Sequence, residues 1–140
     1  MIFLVFAQEA HPLEGIVRVV TAARVYFGAE ATVDERREAP HGASSRIVFT
    51  TGDEVQIARI VARAATPSDF EAARVREARS GGGGLAQLAG RCSFVWEVDV
   101  ERADAHAYRV AAMLAAGLLG PVLTDDAIFG VRGARARAEG

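Results

Sequence analysis

Glu97, Asp99 and Glu101 alternate along one short stretch, so in a strand their carboxylates share a face about 7 Å apart. Carboxylates at that spacing can hold a divalent cation or share an acid–base proton. No fourth ligand is evident nearby, and the same row suits a solvated face or one set against arginines. Asp125 and Asp126 read first as turn chemistry. The three histidines, His11, His41 and His106, have no second His or Cys at zinc-ligand spacing. Cys92 could pair with His106 for nucleophilic catalysis, but that needs a lowered thiol pKa and an adjacent base, neither of which the sequence shows, and a small half-buried thiol is the commoner outcome.

Gly81, Gly82, Gly83 and Gly84 present bare backbone, yet they follow a charged segment and carry no G-x-G-x-x-G or Gly-Lys-Ser/Thr pattern. The run reads as a linker or loop rather than a phosphate cradle. All 16 basic residues are Arg, and Lys and Asn are both missing, the composition of a GC-rich, bacterial-type genome. Schiff-base catalysis and a P-loop lysine are therefore excluded. With 18 acids against 16 bases, the net charge of −2 supplies no field for nucleic acid.

These residues need elements to position them. A chain of 140 residues, 51% hydrophobic, suits one core and rules out disorder as its main state. Residues 2–6 are continuously apolar, as in a strand buried on both faces. Pro12 opens a helix over 12–27, with Leu13, Ile16, Val17 and Val20 on one side and Gly28 as terminator. A strand at 31–33 runs into the charged cluster Asp34, Glu35, Arg36, Arg37, Glu38; residues 39–45 read as a loop and 46–51 as a strand. Thr51-Gly52-Asp53-Glu54 matches a capping box, predicting a helix over 55–63 with Gln56, Arg59 and Arg63 as its polar stripe. A second box at Ser68-Asp69-Phe70-Glu71 predicts a helix to about residue 79, and 85–89 a further helical turn.

The strand at 93–101 has the cleanest pattern in the chain. Phe94, Trp96, Val98 and Val100 form its core face, opposite Val95, Glu97, Asp99 and Glu101. A helix over 103–119 stops at Gly120-Pro121, and short strands follow at 122–124 and 127–131. Stretches 3–34 and 94–126 echo each other as strand–helix–strand units. Residues 1–131 are expected to form a single domain, with 132–140 a flexible Arg-rich tail carrying Arg132, Arg135 and Arg137.

The expected fold is α+β: a two-layer sandwich, its sheet mixed but mostly antiparallel, helices on one face, in a ferredoxin-like element order. Missing catalytic motifs point to a non-enzymatic bacterial interaction module: an adaptor, an immunity-type inhibitor or an assembly subunit. Its partner is a protein, including a second copy in a salt-sensitive homodimer. That dimer sets Arg36, Arg37 and Arg46 against the row of Val95, Glu97, Asp99 and Glu101. No cofactor, metal, nucleic acid or membrane is expected, and one cysteine with no apolar run of about 20 residues points to the cytoplasm. The alternative is a small-molecule- or metal-binding protein, or an enzyme, using Glu97, Asp99 and His106 in a pocket.

Overall fold

The computed structural model describes residues 1–8, 12–39, 42–80 and 83–139. His11, His41, Gly81 and Gly82 lie outside them. In chain order the elements are β1 (Ile2–Ala7), α1 (Pro12–Phe27), β2 (Glu30–Ala39), β3 (Gly42–Thr51), β4 (Glu54–Ala64), α2 (Pro67–Arg79), α3 (Leu85–Ala89), β5 (Phe94–Val100), α4 (Ala105–Leu118), β6 (Val122–Leu123), β7 (Ile128–Phe129) and α5 (Val131–Ala138). The strands form one sheet in the order β2-β3-β4-β5-β1-β6-β7, antiparallel at every described pairing.

The largest departure from expectation is β4, read from sequence as a helix. Thr51 pairs with Glu54 across a two-residue turn whose first central residue, Gly52, has φ +59°. Positive φ at that position alone is the type II′ hairpin pattern, so Thr-Gly-Asp-Glu is a turn and not a cap. The segment's β-branched residues then alternate. Gln56, Ala58, Ile60 and Ala62 are buried, while Val55, Arg59 and Val61 are exposed. This added hairpin puts β4 beside β5 and removes the ferredoxin-like arrangement expected from element order. Residues 42–45, read as loop, are the first part of β3.

Helices occupy both faces of the sheet, not one. Phe3, Val5, Trp96, Val98 and Val100 face a core built with α1, α4 and α5, in which Ile16, Val19, Val110, Leu114 and Ala134 are buried. Phe6 and Val95 face a smaller core under α2 and α3, with Ala73, Ala89 and Cys92. The tail expected at 132–140 is instead largely α5, packed on α4; Arg135 lies over the Phe27 ring at 4.2 Å and Arg137 over Phe129 at 4.1 Å. Burying Ala134 and stacking two guanidinium groups on aromatic rings gives the segment tertiary anchors that its composition does not announce.

The two echoing units prove unequal. In each, the helix returns the chain to a strand running in the original direction, and α1 and α4 pack together on one face. The α1 connection passes over β5, β4 and β3, whereas the α4 connection passes over β1 alone.

Helix α2 begins two residues before the expected cap. Thr66 Oγ1 accepts from the Asp69 amide at 3.4 Å, and the Thr66 amide donates to Asp69 Oδ2 at 2.7 Å. Asp69 also receives Arg63 Nη1 and Nη2 at 2.7 and 2.9 Å, tying α2 to β4. The Arg63 hydrogen bonds hold the buried Asp69 carboxyl below its usual 3.8. A lowered native pKa contributes stability that is complete above 3.8 and is lost as pH falls through the native value. Asp69→Asn should therefore cost stability at neutral pH, with the deficit shrinking progressively as pH falls below 3.8, measured as urea midpoints for both chains; a deficit that does not shrink on acidification would contradict it.

Candidate functional site

Helices α2 and α3 cover one face of the sheet over β6, β7 and the adjoining ends of β1 and β5, leaving the same face of β2 to β4 and the rest of β5 open. Alternation decides which side chains reach that face, and the register sets them in rows. One row crosses the sheet as Glu35, Arg46, Arg59, Asp99 and Ile2, on β2, β3, β4, β5 and β1. The next runs Arg37, Ser44, Val61 and Glu97. Together these rows line a concavity of about 470 Å³.

Ion pairs tie down part of this surface. Arg46 Nη1 meets Asp34 Oδ2 at 2.7 Å, Arg37 Nη2 meets Glu35 Oε1 at 2.9 Å, and Arg63 Nε meets Glu97 Oε2 at 3.1 Å. Among the described residues Asp99 has only the terminal amine as an ion-pair partner, at 3.9 Å. Arg59 makes no ion pair among the described residues, although Asp99 is its cross-strand partner on one side. Its partner on the other side, Arg46, is a like charge, which costs energy at directly opposed strand positions. Apolar groups stand among these charges: Ile2 is 68% and Val61 40% exposed.

Four of the residues singled out from sequence thus line one concavity: Arg37, Arg46, Glu97 and Asp99. Three do not. Val95 is fully buried beneath α2 and α3, which corrects its expected place on an outer face. Arg36, between Glu35 and Arg37, alternates to the other side of the sheet and pairs in register with Ser45. Glu101 is exposed just past the end of β5, its amide donating to Ile57 O at 3.2 Å. Sequence reasoning missed Ile2, Glu35, Arg59 and Val61. For Arg59 and Val61 the usable signal was the β-branched content of 55–61.

The other candidates separate. Glu97 and Asp99 lie on the open face, while His106 sits on α4 across the sheet, with Nε2 3.5 Å from Glu54 Oε2. That overturns a shared pocket for the three. Arg102, hydrogen-bonded at 2.8 Å, and then His106 lower the Glu54 pKa. Gln56, 5% exposed, lies below this cluster, and its Nε2 finds no acceptor among the described residues. Cys92 is buried on the α2–α3 side, and burial pushes its thiol up to about 11, the reverse of a nucleophile's shift. Asp126 accepts from Thr124 Oγ1 at 3.0 Å within the β6–β7 turn. Among the described residues no three His, Cys, Asp or Glu side chains are grouped to hold a metal, and no helix is long and apolar enough to cross a membrane.

Compared with known protein families, with curated proteins and with solved structures, the chain matches none.

Proposed function

We propose that this protein is a non-enzymatic interaction module, of the adaptor, immunity-inhibitor or assembly-subunit kind, which docks a protein on the open face of β2 to β5. The supporting observation is the mixed character of that face. Ile2, Val55 and Val61 are exposed on a finished sheet, interleaved with Arg37, Arg59, Glu97 and Asp99. Recognition surfaces combine an apolar centre with a polar surround in this way. Three arginines and three carboxylates line the concavity, a balance that favours a protein surface with charges of both signs over a polyanion.

The sheet edge is a poorer docking site. β2 carries a bulge between Val33 and Glu35 and the charged run Asp34, Glu35, Arg36 and Arg37, features that deter strand addition. A small zwitterionic ligand is the second reading, favoured by a volume within the range of ligand sites.

A photo-crosslinking residue in place of Val61, on the open face, should yield a protein adduct in living cells. The same residue in place of Val25, on the outer side of α1, should yield none. An adduct only from position 25, or none from position 61, overturns this reading. A ligand that raises the melting temperature of purified protein, together with no adduct from position 61, supports the second.

A further inference from the structure

Resting on the second reading of the open face and naming its ligand, we infer that the concavity binds a free α-amino acid or short peptide with apolar side chains. Arg59 takes the carboxylate and Asp99 the ammonium. Most of the charge that lines the concavity is already neutralised within the chain. Glu35 is held by Arg37 at 2.9 Å, Arg46 by Asp34 at 2.7 Å, and Glu97 by Arg63 at 3.1 Å. Two lining charges remain. The Arg59 side chain makes no ion pair or hydrogen bond among the described residues. Asp99 has there only the terminal amine, at 3.9 Å, and that amine donates its hydrogen bond to Val100 O at 3.0 Å.

The two stand side by side. Arg59 and Asp99 are cross-strand partners in one row, a Cα separation of about 4.5–5.5 Å in an antiparallel ladder. A molecule with a carboxylate and an ammonium a few atoms apart presents both charges at that spacing. An ion of one sign satisfies one residue and is repelled by the other. Direct pairing of Arg59 with Asp99 is the competing state, and an exposed pair of this kind is favoured by at most about fivefold in equilibrium constant. A zwitterion replaces that single contact with two charge-assisted ones.

The surroundings select the body of the ligand. Val61, 40% exposed, follows Arg59 on the same face of β4, and Ile2, 68% exposed, adjoins Asp99 in its row. An apolar side chain laid on either leaves water there. A volume of about 470 Å³ lies within the range of ligand sites. The step of about 3.8 Å between neighbouring Cα atoms keeps both ends of a dipeptide within reach of the same pair.

Ligand-detected NMR titration of the full chain tests this with four probes: leucine, leucyl-leucine, isocaproate (leucine without its amine) and isoamylamine (leucine without its carboxylate). Leucine or leucyl-leucine should bind with a Kd of about 1 mM or tighter, and the two singly charged probes at least roughly tenfold more weakly. The tighter of the first two identifies the source, amino acid or peptide. Arg59→Gln should weaken the zwitterion roughly tenfold and leave isoamylamine unchanged; Asp99→Asn should weaken it similarly and leave isocaproate unchanged. A purely structural role for either residue would not split the probes by charge. Both side chains are exposed, and circular dichroism confirms that each variant folds. Isocaproate or isoamylamine binding as tightly as leucine overturns the zwitterion pairing, and so does a preference that survives both substitutions; the small-ligand reading then stands. No binding of any probe up to about 20 mM also overturns it. If no other compound then raises the melting temperature, the small-ligand reading falls with it.

Discussion

Gly120→Ala is expected to destabilise the protein by at least about 3 kcal/mol, at the upper end of what overpacking costs. A methyl group at position 120 would lie 1.9 Å from Phe6 O and 2.6 Å from Phe6 C. Both are backbone atoms of β1, so no rotamer change relieves the contact. The chain turns there from α4 into β6, and the Phe6 amide donates to Pro121 O at 3.0 Å just beyond it. Relief means moving β6 off β1, which opens the core around Phe6, Val122 and Leu123. Urea denaturation measures the effect; a loss below about 1 kcal/mol would show that this crossing is not close.

Trp96→Ala should cost about 3–5 kcal/mol, the range for emptying a large aromatic core position. Trp96 is 2% exposed, paired in register with Val5 and Ala62, and its ring lies against Gly15 of α1. A Cβ at position 15 would meet Trp96 Cζ2 at 2.6 Å, so the helix approaches the sheet only because that residue is glycine. Trp96→Phe keeps part of the volume and should recover part of the loss. Circular dichroism must follow the unfolding, since Trp96 is the only tryptophan and its fluorescence goes with it. Stability within about 1 kcal/mol of the parent would place Trp96 outside the core.

How much of this was legible in the sequence depended on whether local pattern and tertiary context agreed. At 94–100 the alternation is strict and the structure keeps it, so Glu97 and Asp99 were found from sequence. At 12–27 the apolar spacing and Pro12 outweighed a β-branched run, and α1 has those bounds. At 51–63 two local codes competed. The Thr-Gly-Asp-Glu signature of a cap coincides with that of a glycine turn, and Gln56, Arg59 and Arg63 mimic a helical stripe. Pairing with β3 and β5 decides the matter, and long-range pairing leaves no mark on a local window.

That one misassignment hid Arg59 and Val61 from the candidate site. With 55–63 taken as a helix, Arg46 has no Arg59 beside it and Asp99 has no basic neighbour, so the arginines were assigned to a second molecule. The register places both sets of charges on one face of one chain. Val95 was misplaced for a related reason: period two says which residues share a face, but not where α2 and α3 stop covering it. Arg36 fell on the wrong side because the bulge after Val33 shifts the pairing with β3.

The claim at the centre of this account is that the open face of β2 to β5 is covered when the protein is at work. Thiol labelling of a Val61→Cys variant tests it most directly, since native Cys92 is buried with its thiol raised to about 11 and does not compete. Its rate is read against that of a Val25→Cys variant, in intact cells and in dilute purified protein. Docking predicts a ratio roughly tenfold lower in cells, as when about a tenth of the molecules have the face free. Equal ratios in the two settings would contradict it.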